Sequence, residues 1–206
     1  MKFFKPLDKI LNQTAKVRIL RFLIKTGPEW TGRQISKEIG VSPATCHKAL
    51  RQLYNEGLLL FRSVGAGHLY KLNDENYLVK KVVRPLFEQE DSIYRRLKEI
   101  LLEHLGSLSP RKLVSAVVFG SVSKKNERAK SDIDILLLVK KEEDKDEIEK
   151  RTALAAAVII REYGNALSPY IQTVNEFMSK KKKKLPVIKE ILKNHFVIAG
   201  KALEDL

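Results

Sequence analysis

Residues 119–134 read Phe-Gly-Ser-Val-Ser-Lys-Lys-Asn-Glu-Arg-Ala-Lys-Ser-Asp-Ile-Asp. Two carboxylates, Asp132 and Asp134, stand one residue apart at the start of the apolar run 135–139. In a strand, residues i and i+2 project from the same face, so this pair points one way, roughly 6–7 Å apart at the backbone. Mg²⁺ is usually held by one or two carboxylates together with substrate phosphates. Upstream, 113–119 is a second strand-like run that ends in Gly120-Ser121, and a glycine there lets backbone N–H groups approach a phosphate closely. Lys124, Lys125, Arg128 and Lys130 lie between the two motifs, placed to meet triphosphate oxygens, and Ser131 precedes the acidic pair. Strand, Gly-Ser turn, basic loop and Asp-x-Asp strand make a plan for holding a nucleoside triphosphate (NTP) with Mg²⁺. Either half alone reads equally well as a surface turn or an acidic strand start; their spacing carries the reading.

The elements around these residues follow from pattern. The segment 123–130 is expected to be a loop, mobile without ligand. A charged loop over 140–146 leads to a helix over 148–163, with Leu154, Ala155, Val158 and Ile159 facing inward and Gly164-Asn165 as its cap. Residues 166–174 read as the next strand, and Pro169 restricts it to an edge or to the strand's start. A helix follows over 175–183 with Glu176 at its cap. The five lysines 180–184 read as a solvated face. No Walker-type loop or dinucleotide fingerprint is present.

Gly120-Ser121, the spacer, and Asp132-Ile133-Asp134 resemble the nucleotidyltransferases related to DNA polymerase beta, in particular the small minimal nucleotidyltransferases. The likeness covers about 112–206. It implies that Ser121 and nearby backbone hold phosphates, that Asp132 and Asp134 bind Mg²⁺ and serve catalysis, and that a nucleoside monophosphate passes from NTP to an acceptor. The family adds a third carboxylate on a later strand. Here the strand over 166–174 carries none, and Ser168 stands about where it would fall. A third carboxylate is the natural general base for the attacking hydroxyl, so its absence puts transfer in question while leaving Mg-NTP binding intact.

The first third of the chain has a different character. Residues 1–73 hold 13 Lys+Arg and 4 Asp+Glu, a net +9 of the whole chain's +14. Val17, Leu20, Leu23 and Ile24 share one helical face, and Gly27-Pro28 ends that helix. Thr31-Gly-Arg-Gln34 is a capping box that opens a short helix burying Ile35 and Ile39. Gly40 stops it, and Ser42-Pro43 begins another, with Ser at the N-cap and Pro at N1. That helix buries Cys46, Ala49, Leu50 and Leu53. It presents Ala44, Lys48 and Arg51 on the far side, flanked by Thr45, His47 and Gln52. Helix, tight turn, helix is the helix-turn-helix plan, in which the second helix enters the major groove of duplex DNA. Small residues permit close approach, and Lys48 and Arg51 reach phosphates or guanine. Strands over 58–62 and 68–72 around a Gly-x-Gly tip read as a hairpin. The stretch 31–72 resembles the winged-helix regulators of archaea and bacteria, which implies a wing with Arg62 and His68 near the DNA backbone or minor groove. His47 and His68 read as polar surface residues, since no Cys/His spacing matches a zinc site.

Between the two lies a helical connector over 74–110, interrupted at Pro85. Ile93, Leu97 and Ile100 form a stripe there that admits two readings, a helix packed within the chain or a homodimer seam. Turn residues at 105–110 mark the expected boundary. The composition supports folded cores, with 44% apolar residues. One cysteine, Cys46, allows no internal disulfide, and no run is long enough for a membrane span. The expectation is a cytoplasmic α+β protein. Its parts are a winged helix-turn-helix domain at 1–73, the connector, and a small mixed sheet with flanking helices at 111–206 in the nucleotidyltransferase fold. Its expected partners are double-stranded DNA and NTP with Mg²⁺. It is either a transferase located by DNA or a transcriptional regulator that binds nucleotide as a signal.

Overall fold

The structure is a computed structural model that describes residues 3–65, 67–106, 108 and 112–206. The chain divides into two compact units, Met1–Ser92 and Ile93–Leu206. The stretch read as a connector is shared between them, and the turn expected at 105–110 lies partly outside the described residues.

The first unit starts with α1 (Leu7–Ile10) and α2 (Thr14–Thr26). The apolar face of α2 buries Ile19, Leu20 and Leu23. Gly27, at φ +75°, ends the helix by donating its N–H to the Leu23 carbonyl, a conformation that costs a glycine little. β1 (Trp30–Thr31) leads into α3 (Gly32–Glu38). The capping box forms as the pattern dictates: the Gln34 N–H donates to Thr31 Oγ1, and Thr31 N–H donates to Gln34 Oε1. Gly40 turns the chain at φ +64°. α4 (Pro43–Asn55) then opens with Ser42 Oγ accepting from the Thr45 N–H. β2 (Leu59–Val64) and β3 (Gly67–Leu72) form the hairpin, with Phe61 opposite Tyr70 and Ser63 opposite His68. β1 adds to β3 to give a three-stranded sheet. At two residues it is too short to show an alternating pattern, and pairing alone makes it a strand.

The segment after the hairpin belongs to this unit's core. The Asn73 and Asn76 amides both donate to the Gly57 carbonyl at 3.0 Å, and Asn76 Oδ1 accepts the N–H groups of Leu78 and Val79. A π-helical turn (Val79–Val83) precedes α5 (Arg84–Glu90), which has Pro85 in its first turn. Proline lacks an N–H and crowds the carbonyl four residues back, so the widened turn sits where that conflict falls. Leu78, Val79, Val83 and Phe87 pack with Ile19, Leu50 and Leu58. Arg21 pairs with Glu90 and Lys25 with Asp91, each at 2.6 Å.

The second unit is built on a mixed sheet of order β6-β5-β4-β7. α6 (Ser92–Leu105) buries Leu97, Ile100, Leu101 and Leu105 against one face of it. The stripe read from the sequence therefore packs largely within the chain, and Ile93 stays 55% exposed. β4 (Leu113–Phe119), the short α7 (Gly120–Ser123) and β5 (Ile133–Val139) follow. β5 runs antiparallel to β4. α8 (Lys145–Tyr163) starts three residues earlier than its apolar pattern suggests, and it buries Ile148, Thr152, Ala155 and Ile159. Leu154, expected to face inward, is 59% exposed, because the buried stripe follows Ile148–Thr152–Ala155–Ile159 at 4-3-4 spacing. β6 (Leu167–Thr173) lies parallel to β5 at the sheet edge, where Pro169 needs no ladder partner on its open side. α9 (Val174–Lys182), α10 (Pro186–Lys193) and β7 (Phe196–Gly200) complete the unit. Val117, Leu136 and Leu138 meet Phe177, Ile188 and Ile191 on the second face. Helices thus cover both faces, and the β5 side chains from Ile133 to Val139 are buried except for Asp134, which is half-buried. No described helix is long and apolar enough to cross a membrane.

Candidate functional site

Asp134 is the second residue of β5 and lies opposite Phe119, the last residue of β4. The chain then turns at Gly120 with φ +73°. A Cβ built on Gly120 would stand 2.1 Å from Asp134 Oδ2. The Gly-Ser turn is therefore folded directly onto the carboxylate, and only glycine satisfies both the left-handed backbone and the close approach. Asp132 is exposed just before the strand. Burial pushes the Asp134 carboxyl above its ordinary value, and the Asp132 charge pushes in the same direction. A half-buried carboxylate with a second one two residues before it at the strand's entry makes a receptor for a divalent cation. Asp132 and Asp134 would be the holders of Mg²⁺, with substrate phosphates completing its shell.

Three residues, Ser123, Lys124 and Asn126, fix the turn that follows. The buried Ser123 Oγ lies 2.9 Å from the Gly120 carbonyl oxygen and 3.0 Å from that of Asn194, so α7 is pinned to the end of α10. Lys124 is ion-paired with Glu190 of α10, which depresses the Glu190 carboxyl. The Asn126 N–H donates to the Ser121 carbonyl. Farther along, Ser131 Oγ accepts the Arg128 N–H at 3.0 Å, while the Ser131 N–H donates back to the Arg128 carbonyl, so Ser131 shapes the loop. Lys125 and Lys130 hold left-handed backbones at φ +56° and +66°, a conformation that costs a non-glycine residue about 1 kcal/mol or more. Lys125, Arg128 and Lys130 are exposed beside the turn, whereas Lys124 is drawn toward α10.

The parallel ladder fixes what faces Asp134 from the next strand. Asp134 pairs with Ser168, and Leu136 with Tyr170. No group of three or more His, Cys, Asp or Glu arranged to hold a metal exists among the described residues. Glu176 is engaged elsewhere: it accepts the Thr173 N–H at 2.7 Å and pairs with Lys145 at 2.9 Å. Those contacts, the backbone bond first, hold its carboxyl down at about 2. Of the lysine run, Lys180 is committed to the Tyr170 hydroxyl at 2.9 Å and to the Gln172 side chain, which sets it apart from a purely solvated face.

In the first unit, α4 exposes Ala44, Thr45, His47, Lys48 and Arg51 while Cys46, Ala49, Leu50 and Leu53 are buried. Arg62 on β2 is tied to Glu29 at 2.7 Å, and His68 Nδ1 lies 3.3 Å from Ser63 Oγ. The sequence pattern does not disclose Glu29 as a partner for Arg62, since 33 residues separate them. It also misses Tyr54 and Phe61, which stack edge-on at 4.8 Å on the side of α4 that faces the hairpin. The one signal available was an aromatic at an outward position of a strand.

Two family models match the chain. The family model described as polymerase beta, nucleotidyltransferase matches residues 96–202, and a winged helix-turn-helix DNA-binding model matches 14–59. No curated protein matches the chain. Among solved structures, reduced HlyU from Vibrio cholerae is 20% identical over 43% of this chain and 85% of its own, with a TM-score of 0.35. The homodimeric winged helix-turn-helix DNA-binding domain of Mb0332 from Mycobacterium bovis is 20% identical over 43% and 78%, at 0.36. A toxin-antitoxin crystal structure with AMP-PNP is 17% identical over 52% and 77%, at 0.37. These overlaps are small, and the assignment rests on the two family models. The larger of them takes in more than half of the sequence, including the Gly-Ser turn, both aspartates and the strand that carries Ser168; the chain therefore belongs to the polymerase beta nucleotidyltransferase family, with a winged helix-turn-helix DNA-binding domain ahead of that part.

Proposed function

We propose that this protein is a DNA-binding regulator whose nucleotidyltransferase-type unit takes up Mg-NTP as a ligand, with group transfer weak or lost. The observation that favours binding over transfer is the register of β5 and β6. The position directly beside Asp134 is Ser168, whose hydroxyl is no general base at neutral pH. In this reading Asp132 and Asp134 hold Mg²⁺, which neutralises phosphate charge. The Gly120-Ser121 backbone and the Ser121 hydroxyl hold phosphate oxygens. Lys125, Arg128 and Lys130 close over the triphosphate from the loop. α4 enters the major groove of duplex DNA, with Ala44, Thr45, Lys48 and Arg51 toward the bases and His47, Arg62 and His68 toward the backbone. The homodimer read from α6 has only Ile93 of its stripe left exposed.

The transfer reading keeps one specific support: the acidic pair and the turn packed upon it are both retained. Two measurements separate the readings. Calorimetry with Mg-ATP and Mg-GTP should show binding that needs both metal and nucleotide. Incubation with NTPs labelled at the α-phosphate should leave no label on protein, RNA or a small molecule. Label transferred at catalytic turnover would establish the enzyme, and absence of binding would reject the site altogether.

A further inference from the structure

The side of α4 that faces the hairpin is not spent on the core, and it carries the DNA-facing His47 and Arg51 on into a groove beneath the hairpin. Two adjoining cavities of about 510 and 270 Å³ lie there and share His47, His68 and Tyr70. The larger is of the size that holds a small ligand. Arg33 lines one and Arg51 the other, and no acidic residue lines either among the described residues. The smaller of the two has an aromatic floor of Tyr54 and Phe61. Phe61 meets Tyr54 at 4.8 Å and His68 at 5.2 Å, both edge-on. Tyr70 lies tilted against Phe61 at 6.1 Å, and Phe61 and Tyr54 are nevertheless each 42% exposed. A hairpin that only tracked phosphates would gain from charge at these positions. An aromatic there costs exposure to water unless something flat covers it.

We propose that this groove takes an unpaired nucleobase, stacked on Phe61 with Tyr54 at its edge, its flanking phosphates met by Arg33 and Arg51. A π-face accepts any base, and a positive, acid-free rim matches the backbone on either side; this combination marks sites for unpaired strands. The proposal rests on the DNA-binding reading and specifies the form of DNA preferred, a duplex interrupted by an unpaired base.

The test compares the full chain on three fluorescent oligonucleotides of one sequence by anisotropy: a perfect duplex, the same duplex with one bulged base, and the single strand. Base–aromatic stacking predicts about 5- to 150-fold tighter binding of the bulged form than of the perfect duplex. Phe61→Ala should remove that preference and leave duplex affinity within about twofold. Phe61→Trp, which preserves a stacking surface, should restore it and guards against a fold defect in the alanine variant. Equal binding of bulged and perfect duplex by the unmodified chain overturns this proposal and leaves the DNA reading standing. So does a preference that survives Phe61→Ala. Binding to none of the three overturns both.

Discussion

At the residue scale, the site turns on one half-buried carboxylate. The folded chain raises the Asp134 pKa, chiefly by burial and then through Asp132. A raised carboxyl disfavours the charged form, so its contribution to stability is fully present below the ordinary carboxyl pKa and is lost as pH rises through the folded value. Asp134→Asn should therefore raise the melting temperature at neutral pH, and the gain should shrink as pH falls and the parent carboxyl takes up its proton. The same substitution, and Asp132→Asn, should abolish Mg-dependent NTP binding in calorimetry while DNA binding persists. Unchanged Mg-NTP affinity in the double variant would remove these aspartates from the proposed role. Arg62 makes the opposite case, a cation read as a DNA contact but already neutralised by Glu29. Glu29→Gln should free it, tighten duplex binding at low salt and steepen the salt dependence by about one counterion. Titration of binding against ionic strength measures that slope.

Among the elements, the Gly120 turn is the one that couples a backbone conformation to the acidic pair. A methyl group at that position meets Asp134 Oδ2 at 2.1 Å, so Gly120→Ala must displace either the turn or the carboxylate. We expect loss of Mg-NTP binding as complete as in Asp134→Asn, with a lower melting temperature in place of a higher one. The α9 cap shows how an acidic residue close in sequence to β6 can be wholly structural: Thr173, which it caps, lies opposite Val139, at the other end of β5 from Asp134. Glu176 sits at about 2, held by the Thr173 N–H and Lys145. Its depressed pKa stabilises the fold above the ordinary carboxyl range, and that stability is lost as pH falls toward 2. Glu176→Gln keeps the capping geometry and should flatten the acid limb of a pH–melting curve without changing nucleotide binding.

For the whole molecule, the 74–92 stretch decides how the chain may be cut. Leu78, Val79, Val83 and Phe87 complete the core beneath α2 and α4, although 1–73 alone contains every helix-turn-helix and hairpin residue. Removing several buried large side chains costs on the order of 2–5 kcal/mol for each, a large share of the stability of a small domain. A fragment of 1–92 should melt cooperatively and bind duplex DNA like the full chain, while 1–73 should show little cooperative melting. Equal melting of the two fragments would show that the added residues only decorate the unit.

Motifs that act over a few residues were legible in the sequence. The Thr31–Gln34 box, Ser42-Pro43, the Gly120-Ser121 turn and the apolar strand that starts after Asp132 each depend on backbone conformation or on period-2 geometry, which neighbouring residues determine. So were the winged-helix and nucleotidyltransferase likenesses, because those motifs recur in order. Four things waited for the tertiary structure: the pairing of Asp134 with Ser168, the pinning of Ser123 to Asn194, the union of Arg62 with Glu29, and the aromatic wall of Tyr54 and Phe61. Each joins residues on different elements, where the partner is set by strand register and helix packing and no local propensity speaks to it. The sequence by itself determined which chemistry the chain carries; only the packed elements decided which of those side chains meet.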